Sequence, residues 1–227
     1  MRWAWVALAA CAAPVEQGAI VSAALLDRLS ESGRSLSTIR MTADSAYCVG
    51  GDEMTVVPAR IATVLAEYPE RLLAASGIHE LEVCTRFRGA SRDDAIGLAE
   101  LGAHRILILA SVDPVAPTVH HEVFHLLDYE QGAMTWPTHG DRVMQHGGTN
   151  RHPRPYGYVD DYATVNPAED RAMTFEYLMS RPLELCAIAE DDREVRAKAA
   201  LVWRFVSDII GTDTFLRERV PCAQLFE

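Results

Sequence analysis

The segment His121-Glu122-Val123-Phe124-His125 constrains the fold of this 227-residue chain more than any other feature. Residues four apart lie on one face of an α-helix, so a helix here lets both imidazoles reach one metal ion. Glu122 then stands beside them, where a carboxylate can accept a proton from metal-bound water. The segment therefore predicts a helix that carries a metal site. The alternative is a core helix whose histidines are satisfied by hydrogen bonds.

The sequence around this segment favours a helix over 113–130. Asp113-Pro114 and Pro117-Thr118 are typical of a helix start, because proline is tolerated in a first turn and Asp or Thr can cap it. Apolar residues at helical spacing then surround the two histidines: Val119, Val123, Leu126 and Leu127. The preceding run 105–110 is continuous enough in apolar residues to predict a central strand.

Composition restricts the class of protein without naming a function. With 49% hydrophobic residues, the chain can bury one good core. A net charge of −11 argues against nucleic acid or an anionic membrane surface as a partner. The sequence has no internal repeat and no apolar run of membrane-spanning length.

The first eleven residues resemble a lipoprotein signal segment. Met1-Arg2 precedes a short apolar stretch that ends in Leu8-Ala9-Ala10-Cys11, similar to the lipobox in which the cysteine is lipidated. We therefore predict an exported bacterial lipoprotein of the cell envelope, on its periplasmic or cell-surface side, held to the membrane by a lipid on Cys11. The alternative is the first turn of an ordinary helix.

The remaining cysteines fit an oxidising compartment. Cys48, Cys84, Cys186 and Cys222 are even in number, and none has C-x-x-C spacing. Three pairings are possible. We favour Cys48 with Cys84 and Cys186 with Cys222, because each pair is local to one half of the chain.

Residues 12–227 are expected to form a single domain. Its predicted parts are helices and a small sheet over 15–112, the histidine helix over 113–130, a long loop over 131–165 and a helical part over 166–227. Within the first part we expect a helix at 58–75 that is interrupted at Pro69, and strands at 81–87 and 96–100. A loop as long as 131–165 tends to be functional, and we expect it to run over the metal face.

The helical part begins at Asn166-Pro167, a cap followed by proline at the first helical position, and its first helix continues to Ser180. A long amphipathic helix is expected over 191–210, ended by Gly211.

Two histidines leave a catalytic zinc site one protein ligand short, because such sites have three protein ligands and one open position. The candidate third ligands are Glu169, Asp128, Glu176 and the loop histidines His139, His146 and His152. Glu169 is the best candidate, since a side chain at a helix start can be aimed at a neighbouring helix. Its spacing from Asn166 also fits a capping box, in which Glu169 would return to the Asn166 backbone.

The segments HEVFHLLD and DDYATVNPAEDRAMTFEYL resemble two motifs of the Glu-zincins, or gluzincins. They are similar to those of the anthrax lethal-factor-like catalytic domain, and more so to those of bacterial lipoproteins described as candidate zinc-binding metallopeptidases. The resemblance covers roughly residues 96–180. It implies an α+β, zincin-like domain in which a small mixed sheet packs against the HExxH helix and the C-terminal part is helical.

Carried onto this chain, the resemblance implies that His121, His125 and Glu169 bind one Zn²⁺ and that Glu122 is the catalytic base. Tyr162, seven residues before Glu169 as in the family, would contact the transition state. Phe124 departs from the pattern, because lethal-factor relatives have glycine there, and its bulk is expected to narrow the approach of the helix to the adjoining strand.

Neighbouring residues have two possible roles each. Asp128 would orient a zinc-bound imidazole, or it is only a solvated or capping aspartate. Asp170 would likewise orient an imidazole, or it only interacts favourably with the dipole at the start of its helix. Tyr156 and Tyr158 could replace Tyr162. The segment 97–99 is expected on the strand that edges the cleft, where an extended peptide can add as another strand.

The predicted function is that of a zinc-dependent metallopeptidase, secreted or lipid-anchored, that hydrolyses peptide or protein substrates with Glu122 as general base. One alternative is a zinc hydrolase that acts on a non-peptide amide such as cell-wall material. Another is a non-catalytic, zinc-containing binding lipoprotein. Glu122 argues against the latter, because a structural zinc site prefers four protein ligands and no spare carboxylate.

Overall fold

The structure, a computed structural model, describes residues 40–42, 46–49, 56–88, 95–137 and 154–227. The segment that ends at Cys11 and the loop histidines His139, His146 and His152 lie outside these ranges. The lipid anchor and the loop histidines as ligands therefore stay predictions. Within the described ranges, no helix combines the length and hydrophobicity that crossing a bilayer requires.

Short strands occupy the first half of the described chain, and helices dominate the second. The strands are β1 (Arg40–Thr42), β2 (Cys48–Val49), β3 (Glu80–Cys84), β4 (Arg86–Phe87), β5 (Gly97–Glu100) and β6 (Arg105–Leu109). The α-helices are α1 (Val56–Ala66), α2 (Glu70–Ser76), α3 (Val115–Glu130), α4 (Pro167–Ser180), α5 (Pro182–Asp191), α6 (Arg193–Ile210) and α7 (Thr214–Arg217). Single 3₁₀ turns lie at Leu101–Ala103, Tyr162–Thr164 and Ala223–Leu225.

A small mixed sheet has the strand order β1-β3-β6-β5. Strands β1, β3 and β6 run parallel, and β5 pairs antiparallel with β6. The position of β6 inside the sheet confirms the prediction of a central strand, and β5 is an edge strand among the described strands, as expected for 97–99. Strands β2 and β4 form a separate antiparallel pair.

Two disulfides link separate elements of the fold. Cys48–Cys84 joins β2 to β3, with Cα atoms 5.1 Å apart, and Cys186–Cys222 joins α5 to the C-terminal segment, with Cα atoms 5.8 Å apart. The predicted pairing is confirmed.

Helix α3 is the centre of the fold. It packs against β5 and β6, against α1 and α2, and along most of α4, while α6 packs on α4 and α5. The apolar residues around the histidines, Val119, Val123, Leu126 and Leu127, are fully buried, as their helical spacing predicted. The mixed sheet, the histidine helix and the helical C-terminal part confirm the predicted α+β class.

Phe124 does not narrow the approach of α3 to the sheet, so that expectation is wrong. Its ring stacks on Phe175 of α4 at a centroid distance of 4.9 Å and meets Phe205 of α6 edge-on at 5.8 Å. The close approach is made by Gly97 of β5, where an added Cβ would lie 2.5 Å from Cγ2 of Thr118. Glycine is therefore required on the strand and not on the helix.

Side-chain capping explains where α4 and α6 begin. The Asn166 side chain accepts hydrogen bonds from the backbone N–H groups of Ala168 and Glu169, with Pro167 at the first helical position, as predicted. Asp192 caps α6 in the same way, and Gly211 ends it in the left-handed region at φ 82°. Helix α5 was not predicted, because its ten residues follow α4 at once and lack a strong cap of their own.

Candidate metal centre

Two helices bring three potential ligands to one point. His121 and His125 lie one turn apart on α3, and Glu169 lies in the first turn of α4, which packs along α3. Nε2 of His121 is 2.9 Å from Oε2 of Glu169 and 3.0 Å from Nε2 of His125, and Nε2 of His125 is 3.2 Å from the same carboxylate oxygen. The structure thus brings together the three residues that the sequence proposed as ligands.

The spacing of these donor atoms fits a tetrahedral metal. Zinc bound at about 2.0–2.1 Å in a tetrahedron places neighbouring donors roughly 3.3–3.4 Å apart. The observed separations of 2.9–3.2 Å are slightly shorter, so a small expansion would seat the ion. Two imidazoles and one carboxylate are a ligand set typical of catalytic zinc, with the fourth position open for water. Among the described residues, this is the one such convergence of three His, Cys, Asp or Glu side chains.

The electrostatics of the cluster favour a cation. Burial opposes a charge on His121, but the hydrogen bonds that its ring donates to Glu169 and Glu176 outweigh this effect and raise the pKa of His121 to about 10. Burial likewise opposes a charge on Glu169, yet its hydrogen bonds with the two histidines lower its pKa to about 2. The carboxylate is therefore ionised at neutral pH, and a divalent cation would take the place of the proton that it attracts.

Glu169 is not used as a capping-box residue. Its carboxylate points to the histidines, whereas Asn166 alone caps the start of α4. Of the two readings that the spacing allowed, the structure shows the one in which the side chain faces the neighbouring helix.

Glu122 is buried between α3 and the edge strand. Burial raises the pKa of its carboxyl, the two histidines lower it, and the backbone N–H of Ala99 donates to it. At Gly97, an added Cβ would lie 2.6 Å from Oε1 of Glu122. The strand thus holds the carboxylate in place only because residue 97 has no side chain.

Tyr162 lies in the 3₁₀ turn before α4, with its ring 5.9 Å from that of His121. Asp160 accepts a hydrogen bond from the backbone N–H of Ala163 and so fixes this turn. Burial and the charges of Glu169 and Glu122 raise the pKa of the Tyr162 hydroxyl, which therefore stays protonated at neutral pH.

The two alternative candidates, Tyr156 and Tyr158, do not take the place of Tyr162. The ring of Tyr158 packs against Lys198, whose Nζ lies 4.0 Å from the ring centre, and Tyr156 is exposed and does not line the cleft.

Glu176 has a role that the sequence did not assign. It is two turns after Glu169 on α4, and its Oε2 lies 3.5 Å from Nδ1 of His121, while Arg181 holds its other oxygen at 3.3 Å. A carboxylate behind a ligating imidazole orients the ring and makes it more basic. The sequence considered Glu176 only as a weaker third ligand; its seven-residue spacing from Glu169, which places both on one helix face, was the available signal.

The contacts of Asp128 and Asp170 are structural. Asp128 is buried and accepts two hydrogen bonds from Arg171, at 3.0 and 2.6 Å. Asp170 accepts from Trp136 at 2.7 Å and from the buried Lys198 of α6 at 2.5 Å. The carboxylate that lies behind a proposed ligand is therefore that of Glu176, beside Nδ1 of His121, and not that of Asp128 or Asp170.

A cleft of 580 Å³ opens beside the proposed ligands. His121, Glu122 and Tyr162 line this cleft, as does Gly97 of β5. Its size is typical of a site that receives a substrate rather than of a closed structural metal site. The arrangement therefore combines three side chains that could hold a metal ion, a buried carboxylate and space for a substrate.

Comparison with known proteins adds one structural relative. No protein-family profile and no curated protein matches this chain. The fold is similar to the crystal structure of a candidate zinc-binding metallopeptidase from Bacteroides caccae, with a TM-score of 0.52 and 16% sequence identity over 90% of this chain and 92% of that one. At this identity the likeness shows the shared fold.

Proposed function

We propose that this protein is a zinc-dependent peptidase. The observation that carries the proposal is that His121, His125 and Glu169 meet beside the buried Glu122, next to a cleft that His121 and Glu122 line. The same fold in a protein described as a candidate zinc-binding metallopeptidase supports it. Gluzincin-type chemistry, with glutamate as third ligand, is part of the proposal.

The chain's own groups divide the work of hydrolysis. Bound zinc would supply a Lewis acid that polarises the scissile carbonyl and lowers the pKa of water. Glu122 accepts the water proton and later delivers it to the leaving amine, a role for which its raised pKa brings proton affinity closer to neutrality. Tyr162 donates its hydroxyl to the oxygen on which negative charge develops.

The edge strand favours a peptide as substrate. The backbone N–H of Leu109 donates to the carbonyl of Ile96, so alternation in the antiparallel ladder directs the backbone groups of Leu98 toward β6 and those of Gly97 away from it, toward the edge that no other described strand covers. The backbone carbonyl of Ala99 faces the same edge, while its N–H donates to Glu122. An extended peptide can add to such an edge, with its scissile bond next to Glu122. A cell-wall amide is the second candidate, since the zinc chemistry would be the same, but it would make less use of this edge.

A substitution of Glu122 tests catalysis separately from metal binding. Purified protein should contain about one zinc per chain and should cleave members of a peptide library in a chelator-sensitive way. Glu122→Gln should keep the zinc and lose at least about 1,000-fold in kcat/KM, because the base is removed and the ligands remain. Glu184→Gln, an exposed glutamate on α5, is the matched control and should leave both unchanged. A Glu122→Gln protein of wild-type activity would refute the assignment.

Glu169 tests the ligand set. Glu169→Ala should bind zinc at least about 100-fold more weakly, because two histidines alone leave the tripod open. Unchanged zinc affinity would move the third ligand elsewhere, to a loop histidine such as His146 or to Glu176.

Export and lipid attachment are a separate proposal that rests on the residues up to Cys11. Cys11→Ser should release the protein from the membrane fraction into the soluble fraction of its host. The same distribution for both proteins would contradict lipid attachment without affecting the peptidase proposal.

A further inference from the structure

A second group of potential metal ligands lies at the C-terminal end of α3. His79 directly precedes β3, His104 directly precedes β6, and Glu130 is the last residue of α3. Nδ1 of His104 lies 3.4 Å from Oε1 of Glu130, and the ring centres of His79 and His104 are 5.3 Å apart. Two imidazoles that bind one tetrahedral zinc have ring centres roughly 5 Å apart, so the spacing of these rings suits a shared ion.

Backbone and side-chain hydrogen bonds fix the three residues relative to one another. The backbone carbonyl of His104 accepts from the N–H of His79 at 2.9 Å, so the two imidazoles start from directly paired backbones. The amide of Gln131, the residue after Glu130, donates to the carbonyl of Ala75 at the end of α2 at 3.0 Å. The two rings and the carboxylate are therefore held in place by the sheet and by two helix ends.

His104 has a ring nitrogen whose needs the protein does not meet. It is the one residue other than glycine with a positive φ in the described ranges, at φ 50°, an uncommon conformation for a residue with a side chain. Its Nδ1 is buried, and no group in these ranges forms a hydrogen bond with it. A metal ion between Nδ1 and the Glu130 carboxylate would supply the missing partner.

The surroundings leave room for a cation and favour it. At Gly77, which follows α2 at φ 64°, an added Cβ would lie 3.0 Å from Nδ1 of His104 and 3.4 Å from Cγ of Glu130. The space beside the two groups thus depends on the missing side chain of Gly77. The partial negative charge at the C-terminus of α3 also attracts a cation.

We propose that His79, His104 and Glu130 bind a second zinc ion. The groups of His104 and Glu130 already face each other, and the exposed ring of His79 turns to complete the set. In the candidate metal centre, by contrast, all three donor groups already meet. The second ion would join β3, the turn before β6 and the end of α3. None of its ligands lines the cleft, so this site stands apart from the proposed peptidase function.

Equilibrium dialysis against zinc tests the second site. The full-length His125→Ala protein, whose first site has lost a ligand, should still bind about one zinc per chain. The further change His104→Asn should weaken this binding at least about 10-fold, because a ligand is lost while asparagine tolerates the left-handed conformation. The further change His146→Ala, in the long loop, is the matched control and should leave binding unchanged. Zinc lost with His146, or bound equally with and without His104, would overturn the proposal.

Thermal unfolding gives a second measurement in the same His125→Ala background. Zinc at about 100 times its Kd should raise Tm by about 5–10 °C, because the ion binds only the folded chain. Adding His79→Gln, a change of an exposed side chain, should abolish this rise and leave the Tm without zinc unchanged. If zinc raises Tm equally in both proteins, or in neither, His79 is no ligand and the proposed site is wrong.

Discussion

Glu176 places a carboxylate oxygen 3.5 Å from Nδ1 of His121, on the far side of the ring from Glu169. When a metal takes the lone pair of Nε2, the proton of the neutral ring lies on Nδ1, where the Glu176 carboxylate can accept it. One helix, α4, thus supplies both a proposed ligand and the group that orients another ligand on α3.

Glu176→Gln should weaken zinc binding by about 10-fold, because the amide keeps the shape but removes the charge that makes the imidazole more basic. The measurement is competition for zinc with a chromogenic chelator at neutral pH. Glu184→Gln serves as the control, since it removes one exposed negative charge from the neighbouring helix. If both variants bind zinc as the wild type does, Glu176 is only a partner of Arg181.

Gly97→Ala should reduce kcat/KM by about 100-fold while zinc stays bound. The added Cβ would lie 2.6 Å from Oε1 of Glu122 and 2.5 Å from Cγ2 of Thr118, so the base must move from its place against β5. We expect a loss of about 1–3 kcal/mol in the free energy of unfolding as well. The same change at Gly102, where a Cβ meets nothing within 4 Å, should alter neither quantity. Wild-type kinetics in Gly97→Ala would mean that Glu122 does not need its observed position.

Tyr162→Phe should lower kcat by about 100-fold and leave KM within about two-fold, the pattern of a hydrogen bond that forms only in the transition state. Steady-state kinetics on one good peptide substrate measure both values. Tyr156→Phe removes a hydroxyl from a nearby exposed tyrosine outside the cleft and should change nothing. A rise in KM at constant kcat would instead make Tyr162 a residue that binds the ground state.

His120 should make the fold sensitive to acid. Burial, with a smaller effect from Arg219, lowers the pKa of His120 to about 3, and its Nδ1 lies 2.6 Å from the hydroxyl of the buried Tyr68. Between pH 6.5 and about 3 the unfolded chain therefore binds a proton at this residue that the folded chain does not. Stability from this group is fully present above pH 6.5 and falls by up to about 1.4 kcal/mol per pH unit below it.

Urea unfolding of the metal-free protein at pH 6.5, 5.5 and 4.5 checks this slope. Working without metal removes the pH dependence of zinc binding from the comparison. His120→Gln should be less stable at pH 6.5 but should lose less stability on acidification than the wild type. Parallel pH dependences for the two proteins would show that other groups cause the acid sensitivity.

The parts of the site that sequence predicted are those with short-range signals. A four-residue histidine spacing and a helical apolar pattern depend on one helix only, and an Asn-Pro start fixes where α4 begins. Glu169 was harder, because its direction depends on how α4 packs on α3, and its spacing fitted a cap equally well. Its position at a helix start made Glu169 the best candidate ligand, and the resemblance to gluzincins supported the same assignment.

The parts that sequence missed depend on contacts between elements far apart in the chain. Asp170 accepts a hydrogen bond from Lys198 on α6, and Asp128 accepts hydrogen bonds from Arg171 on α4. Neither aspartate hydrogen-bonds a proposed ligand. Phe124 was placed against the strand although its ring faces α4 and α6, because the motif fixes the position of a side chain along the helix but not which neighbour it meets.

The Lys198–Asp170 contact links the proposed metal centre to α6, a helix that supplies none of its ligands. Asp170 directly follows Glu169, and the ammonium of Lys198 also binds the carbonyl of Gly157, so one buried cation anchors both the approach to α4 and its first turn. A substitution that displaced Lys198 would therefore shift Asp170 and, with it, the adjacent Glu169. Such a substitution would weaken metal binding although Lys198 contacts none of the three proposed ligands.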